Sequence, residues 1–416
     1  HRVMGPMPPA PSAFASPGLA RVARGSLCSG CGACASIAPD KVSMAMTPPG
    51  FLRPRQTAGL SAQEEASLAA VCPALGQSVE AAGRTDDDLW GPYVRAETGW
   101  ATDPTVRHAG SSGAGLTAIL SHLVASGAVD AVVQTGSSAD VPVANATVIS
   151  TGPDDILTAA GSRYAPSAPL AGLHRLIGDG RRYAFVGKPC DAAALRAWSD
   201  REAPVRDSFP VILSFFCAGV PSQTGAELVL KALGTSLADT ERFRYRGNGW
   251  PGRATATLKD GSERSMTYHD SWGKILSKHV QHRCKICADG TGVAADIVCA
   301  DAWEADDDGY PRFEEADGIS LILSRTPLGA DIVDAARVAG VVVTESFDIG
   351  GLAAIQPGQR ERRRALLARL AALRLLGRPV PRYRGLRIWA AARQNPVKRN
   401  LKNFLGMARR AIRGRF

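Results

Sequence analysis

The sequence lacks any apolar run approaching the roughly 18 residues needed to cross a bilayer. Its Pro- and Ala-rich opening, MGPMPPAPSAFASPG, also lacks the apolar core of a signal peptide. These absences argue against a membrane-spanning or exported chain, and the expectation is a cytoplasmic protein with a disordered leader over residues 1–20. No internal repeat is evident, which argues against solenoid and propeller architectures. Acidic residues are nearly missing from one end: from Arg360 onward there are 18 Lys and Arg against the single acid Glu361. The preceding residues hold 31 bases against 38 acids, so the net charge of +10 describes the tail rather than the body. Such a tail suits a solvated terminus, nucleic acid, a membrane surface or an acidic protein partner.

What remains is an ordinary globular composition, with 45% hydrophobic and 21% charged residues over 416 positions, enough for about two or three domains. Nine cysteines stand out. Without a secretory signal they are poor candidates for disulfides, and their short spacings point to metal or iron-sulfur ligation. Residues 25–39, GSLCSGCGACASIAP, place Cys28, Cys31 and Cys34 in a C-x-x-C-x-x-C, the opening of a bacterial ferredoxin loop. Gly30 and Gly32 let the backbone turn its N–H groups toward sulfur. Zinc is the competing reading. Ala38, not Cys, precedes Pro39, so the fourth ligand must come from elsewhere; Cys72, also before a proline, is the candidate, with a non-thiol ligand as the alternative. A second C-x-x-C, Cys284 and Cys287, is half a site, and it is followed by Asp289, Asp296, Cys299 and Asp301.

From Trp90 a strand-and-helix alternation begins. Strands are expected at Tyr93–Trp100, Ala131–Val133, Tyr183–Val186, Val211–Phe216 and Ile319–Leu323. Helices are expected from Leu116 to Gly127, from a Thr224-x-x-Glu227 capping box to Leu233, and at Ala330–Ala339 and Glu361–Leu376, with a basic amphipathic piece at Leu401–Ile412. Asp260-Gly261 reads as a hairpin turn. The loop with Gly110, Ser111, Ser112, Gly113 and Gly115 enters a helix and is either a phosphate cradle or a plain turn. Gly161, Ser162, Arg163 and Tyr164 form a second polar loop, and Lys188 lies in a third. Cys190 and Cys217 both leave strands and enter loops, where open α/β sheets bind ligands; each is either a ligand or a buried structural thiol.

Taken together, CSGCGAC, AGSSGAGLTAIL, GSRYAP, VGKPCDAAALR, FFCAGVPSQTG, RYRGNGWPG and CKICADGTGVAADI resemble the coenzyme F420 hydrogenase/dehydrogenase beta-subunit family over roughly residues 20–345. That family also includes 7-hydroxymethyl chlorophyll a reductase and a ferredoxin-dependent divinyl chlorophyllide reductase. The resemblance implies that Cys190, Cys217, Cys284 and Cys287 hold a 4Fe-4S cluster beside FAD, and that the two polar loops and Lys188 contact the FAD. It also implies a second 4Fe-4S cluster on the group of Cys28, Cys31 and Cys34, for which Cys72 is the candidate fourth ligand. The expected architecture is α/β (α+β), with a ferredoxin-like iron-sulfur module over 21–85, a flavin-binding α/β region over 90–345 and a basic helical tail over 346–416. The expected activity is that of an oxidoreductase taking single electrons from a ferredoxin-like donor to reduce an organic small-molecule substrate. An F420-linked or electron-relay subunit of a larger complex is the alternative, and self-association into a homo-oligomer is left open. Candidate proton donors are His269, His282, Asp289 and Asp296; Cys299 has no assigned role.

Overall fold

The computed structural model describes residues 14–303 and 315–414. Most of the leader, residues 1–13, therefore lies outside the described residues, while a helix capped by Ser16 already runs from Pro17 to Arg24.

The centre is an eight-stranded mixed sheet. In chain order its strands are β1 (Arg95–Ala101), β2 (Ala131–Ser137), β3 (Asn145–Ser150), β4 (Tyr183–Gly187), β5 (Val211–Phe215), β6 (Ile297–Asp301), β7 (Ser320–Ser324) and β8 (Val342–Ser346). In space they lie in the order β8-β1-β7-β6-β5-β4-β2-β3. The pairs β2/β4, β4/β5 and β5/β6 are parallel, and the outer pairings are antiparallel.

Alternation along each central strand feeds both faces. In β4, Ala184 and Val186 face one core, packed with Ile119 and Leu123 of helix Gly115–Ala125 and with Val333 of helix Pro327–Val338. Tyr183 and Phe185 face the other core, with Leu195 and Trp198 of helix Pro189–Ser199. A strand buried on both faces must be apolar throughout, which is why β4 and β5 read as short uninterrupted apolar runs. Burying each large side chain contributes roughly 1.5–3 kcal/mol.

Two smaller units flank this sheet. One is the antiparallel sheet Thr240–Arg244, Arg253–Leu258 and Glu263–Thr267, whose last turn is the expected one at Asp260-Gly261. The other is the N-terminal unit: the cysteine loop, a hairpin (Val42–Thr47 and Phe51–Gln56) and helix Ala62–Val71, which ends at Cys72. The cap expected at Thr224 falls instead on Ser222, whose hydroxyl accepts the Gly225 N–H, because Ser222 has the extended backbone a cap needs. Thr224 bonds the Pro49 carbonyl instead.

The tail is not a solvated appendage. Helix Pro357–Leu375 lies against the body: Arg362 donates to the Cys217 and Ala218 carbonyls at 2.8 and 2.6 Å, and Gln359 donates to Cys217 at 3.0 Å. Arg382–Arg384 then pairs in parallel with Gly76–Ser78, which joins the tail to the N-terminal unit. The acidic stretch Asp86–Asp88 is tied to the tail, since Arg387 ion-pairs with Asp86 and Asp88. No helix among the described residues is long and apolar enough to cross a membrane.

Candidate functional site

Parallel pairing of β4 with β5 brings their carboxyl ends side by side, and each end delivers a thiol. Gly187 leads into Lys188 and Cys190 at the start of a helix, while Phe215 leads into Cys217. The Cys217 N–H donates to the Gly290 carbonyl at 2.9 Å, tying the C-x-x-C loop to the same sheet edge. Cys190, Cys217, Cys284 and Cys287 are thereby gathered. Burial, then the neighbouring Asp191, pushes the Cys190 thiol well above its usual range, with Cys217 and Cys287 adding to the shift. Burial, then Cys284, pushes Cys217 up to about 12.

The N-terminal loop forms a second quartet. Gly30 and Gly32 take φ of 85° and 86°, a left-handed conformation that other residues adopt at a cost, and a Cβ on Gly32 would stand 2.8 Å from the Ala171 nitrogen. The turn aims the Gly30 N–H at the Cys28 sulfur, 3.4 Å away. Cys72 completes the group. Burial, then Cys72, raises Cys31 to about 12; burial, then Cys28, raises Cys72 to about 11; burial, then Cys28, Cys31 and Cys72, raises Cys34 well above its usual value. All eight cysteines are free thiols.

Thiols set close together resist ionisation, and a bound cation would reverse that by favouring the thiolates. Among the described residues no three His, Cys, Asp or Glu side chains converge as one ion requires. The donor chemistry, four thiols per group with backbone N–H groups directed at sulfur, suits a cubane in which each thiolate takes a different iron.

Two buried side chains join the quartets. Gln281 donates from Nε2 to the Ser29 carbonyl at 3.3 Å and to the Cys284 sulfur at 3.4 Å, while its Oε1 accepts from Arg53 at 3.0 Å. Arg283 donates to the Pro73 carbonyl, next to Cys72, at 3.0 Å. Burial opposes its charge, but Tyr383 and the thiols of Cys287, Cys190 and Cys284 outweigh that and raise its pKa.

The two polar loops also meet: the Ser111 and Ser162 hydroxyls lie 2.8 Å apart. The glycines around them have packing roles. A Cβ on Gly113 would strike the Gly318 carbonyl, and one on Gly161 would stand 2.8 Å from the Arg246 carbonyl. Arg163 is occupied by Asn145 and the carbonyls of Ala144, Pro142 and Phe243. Tyr164 packs in an aromatic group with Tyr245, Tyr268 and Trp272. Lys188 is sealed against Asp191 at 2.7 Å and the Ser167 hydroxyl at 2.8 Å. Its charge therefore lies within the fold beside Cys190.

The candidate proton donors are dispersed. Asp289 accepts from the N–H groups of Thr291, Gly292 and Val293, and Asp296 accepts from Arg196, Thr326 and the Ile212 N–H. Asp289 holds its own chain turn and Asp296 ties three separate segments together, which occupies the oxygens a proton donor would use. His269 is exposed. His282 is buried, and burial together with Lys285 and Arg283 pulls its pKa down to about 3, leaving it neutral at pH 7. Cys299 faces the apolar core, and burial alone raises it to about 12.

Two features escaped the sequence reading. Arg244 is half-buried, with no carboxylate partner among the described residues, and desolvation lowers its pKa; its Nη1 lies 3.0 Å from where a Gly161 Cβ would stand, beside the seam. Arg246 is buried and grips Asp301 at 2.7 and 2.8 Å between the rings of Tyr268 and Trp303. The only signal for either was RYRGNGWPG itself, a glycine-rich turn with two arginines.

Models of the coenzyme F420 hydrogenase/dehydrogenase beta subunit match residues 96–174 (N-terminal part) and 180–349 (C-terminal part). The F420-dependent formate dehydrogenase 1 subunit beta of Methanococcus maripaludis is 26% identical over 199 residues, 48% of this chain and 49% of that one. The chain thus spans about half the length of that relative. The coenzyme F420 hydrogenase subunit beta of Methanococcus voltae is 26% identical over 56% of this chain and 78% of its own. An F(420)H(2) dehydrogenase subunit of Methanosarcina mazei is 23% identical over 77% of this chain and 85% of its own. Among solved structures, a chain of the F420-reducing NiFe hydrogenase complex from Methanosarcina barkeri superposes with a TM-score of 0.51 at 21% identity, covering 68% of this chain and 96% of that one, a likeness of fold. With both parts of the family model matched in order on one sheet, the chain belongs to the coenzyme F420 hydrogenase/dehydrogenase beta-subunit family.

Proposed function

We propose that the chain is the electron-relay subunit of a larger redox complex, working between the deazaflavin coenzyme F420 and a partner oxidoreductase subunit. What supports this reading is that two sets of half-buried thiols lie within electrostatic reach of one another and are linked through Gln281 and Arg283. The relatives' F420-linked names shift the weight away from a free-standing, ferredoxin-dependent reductase.

In this reading Cys28, Cys31, Cys34 and Cys72 would hold one 4Fe-4S cluster, Cys190, Cys217, Cys284 and Cys287 a second, and the seam of Ser111, Ser162 and Arg244 the phosphates of FAD. When bound, a flavin supplies the exchange of an electron pair for single electrons, and cubanes supply one-electron carriage. The protein's own part is placement and charge. Val220 and Gln281 donate to the Cys284 sulfur, each at 3.4 Å, which holds that side chain in one orientation. Lys188 and Arg283, both buried, set fixed positive charge beside the second group of thiols.

Anaerobic stopped-flow mixing of reconstituted protein with reduced F420 tests the reading. Bleaching of flavin absorbance as F420 is oxidised is expected; bleaching by reduced ferredoxin but not by reduced F420 would restore the free-standing reductase. A second prediction concerns the seam. Losing a charged hydrogen bond costs about 1.5–3 kcal/mol, so Arg244→Gln is expected to weaken FAD retention by about 10- to 100-fold. Equilibrium dialysis would check it, and unchanged retention would remove Arg244 from the site.

A further inference from the structure

Among the described residues, seven of the fourteen exposed large apolar side chains lie between Leu375 and Ile412. In helix Val397–Ile412 they form a row: Val397, Leu401, Leu405 and Ile412 share one side, with exposures of 84%, 56%, 57% and 74%. This is not the packing side, since Met407 and Ala411 are the buried residues that hold the helix to the body. Beside it runs a second row, because Lys398, Lys402 and Arg413 each follow a member of the apolar row directly.

The same helix reaches, through Asn400, a groove of about 660 Å3 lined by Leu367, Ala371, Leu375 and Trp389 with Arg374. Trp389 is 70% exposed. The one acid of the region, Glu361, is already neutralised by Arg360, Arg364 and Arg399. The face therefore presents apolar and cationic side chains with no unpaired carboxylate among its described residues.

We propose that this C-terminal face is a peripheral attachment surface for an anionic lipid bilayer. A bilayer interface asks for both rows at once: the leucines enter the acyl boundary, the bases stay at the phosphates, and an exposed tryptophan sits between. A second copy of the chain would bring a like-charged face against this one and be repelled. An acidic protein would answer the bases but leaves the apolar row unexplained. The inference does not depend on the redox reading, because none of these residues belongs to either quartet.

The test uses the full chain with vesicles of phosphatidylcholine alone and with about one third phosphatidylglycerol. Co-sedimentation is expected to be about tenfold stronger on the anionic vesicles and to fall with added salt. Leu401→Asp with Leu405→Asp, at exposed positions, is expected to lower it about tenfold without changing the circular dichroism; Lys398→Glu with Lys402→Glu should act likewise. The blue shift of tryptophan emission on binding should be lost in Trp389→Phe. Three results would overturn the proposal: no binding, equal binding to both vesicle types, or leucine variants that bind like the parent. A dimer, or a complex with a soluble acidic protein, that disappears in the leucine variants while vesicle binding persists would overturn it too.

Discussion

Protein reconstituted anaerobically after Cys284→Ala with Cys287→Ala is expected to hold about half the iron and acid-labile sulfide of the parent chain, while Cys31→Ala with Cys34→Ala removes the other half. The two losses should be separable because the thiols of each group come from different elements, even though Gln281 and Arg283 bridge them. One quartet hangs on the carboxyl ends of β4 and β5 and the loop tied to Gly290. The other hangs on a glycine turn and the end of helix Ala62–Val71. Iron and sulfide assays with visible absorption read the result. Removal of one pair that empties both sites would mean one shared centre, and zinc in place of iron would end the cluster assignment.

The largest stability effect is expected from Asp301→Ala. The carboxylate at the end of β6 receives both Arg246 terminal nitrogens and the Trp250 Nε1 at 2.8 Å, and the Arg246 side chain is only 2% exposed. Burial works against the guanidinium's charge, and Asp301 is what overcomes it and raises the pKa. Removing the partner strands a buried cation, which costs about 3–5 kcal/mol. The double variant Arg246→Met with Asp301→Ala should recover much of that loss, since two charges removed together leave none unpaired. Urea midpoints of the three proteins measure both effects; a single variant as stable as the parent would show that water reaches Arg246.

How much of this was legible beforehand divides along a physical line. Strand ends, helix spans and the placing of Cys190 and Cys217 at one sheet edge follow from local periodicity and the rule for parallel sheets, and Cys72, the candidate fourth ligand, lies within electrostatic reach of Cys31 and Cys34. What was hidden is the choice of partner. Lys188 looked like a phosphate contact but is sealed by Asp191, three residues along, and the Ser167 hydroxyl. Asp289 and Asp296 looked like proton donors because acids near a cysteine motif invite that reading; only coordinates reveal the backbone N–H groups they serve. The basic tail looked solvated because charge suggests water, yet Arg362 and Arg363 donate to carbonyls of the body.

The short parallel pairing of Arg382–Arg384 with Gly76–Ser78 joins segments about three hundred residues apart. On the ribosome, the early segment must wait for all of that intervening polypeptide to emerge before its edge is covered. Arg363, which donates to the carbonyls of Asp88 and Ala288, and Tyr383, which bonds Ile286, arrive equally late. A product terminated before Arg360 would thus keep every cysteine and still lack the side chains that bond the carbonyls of Cys217, Ile286 and Ala288.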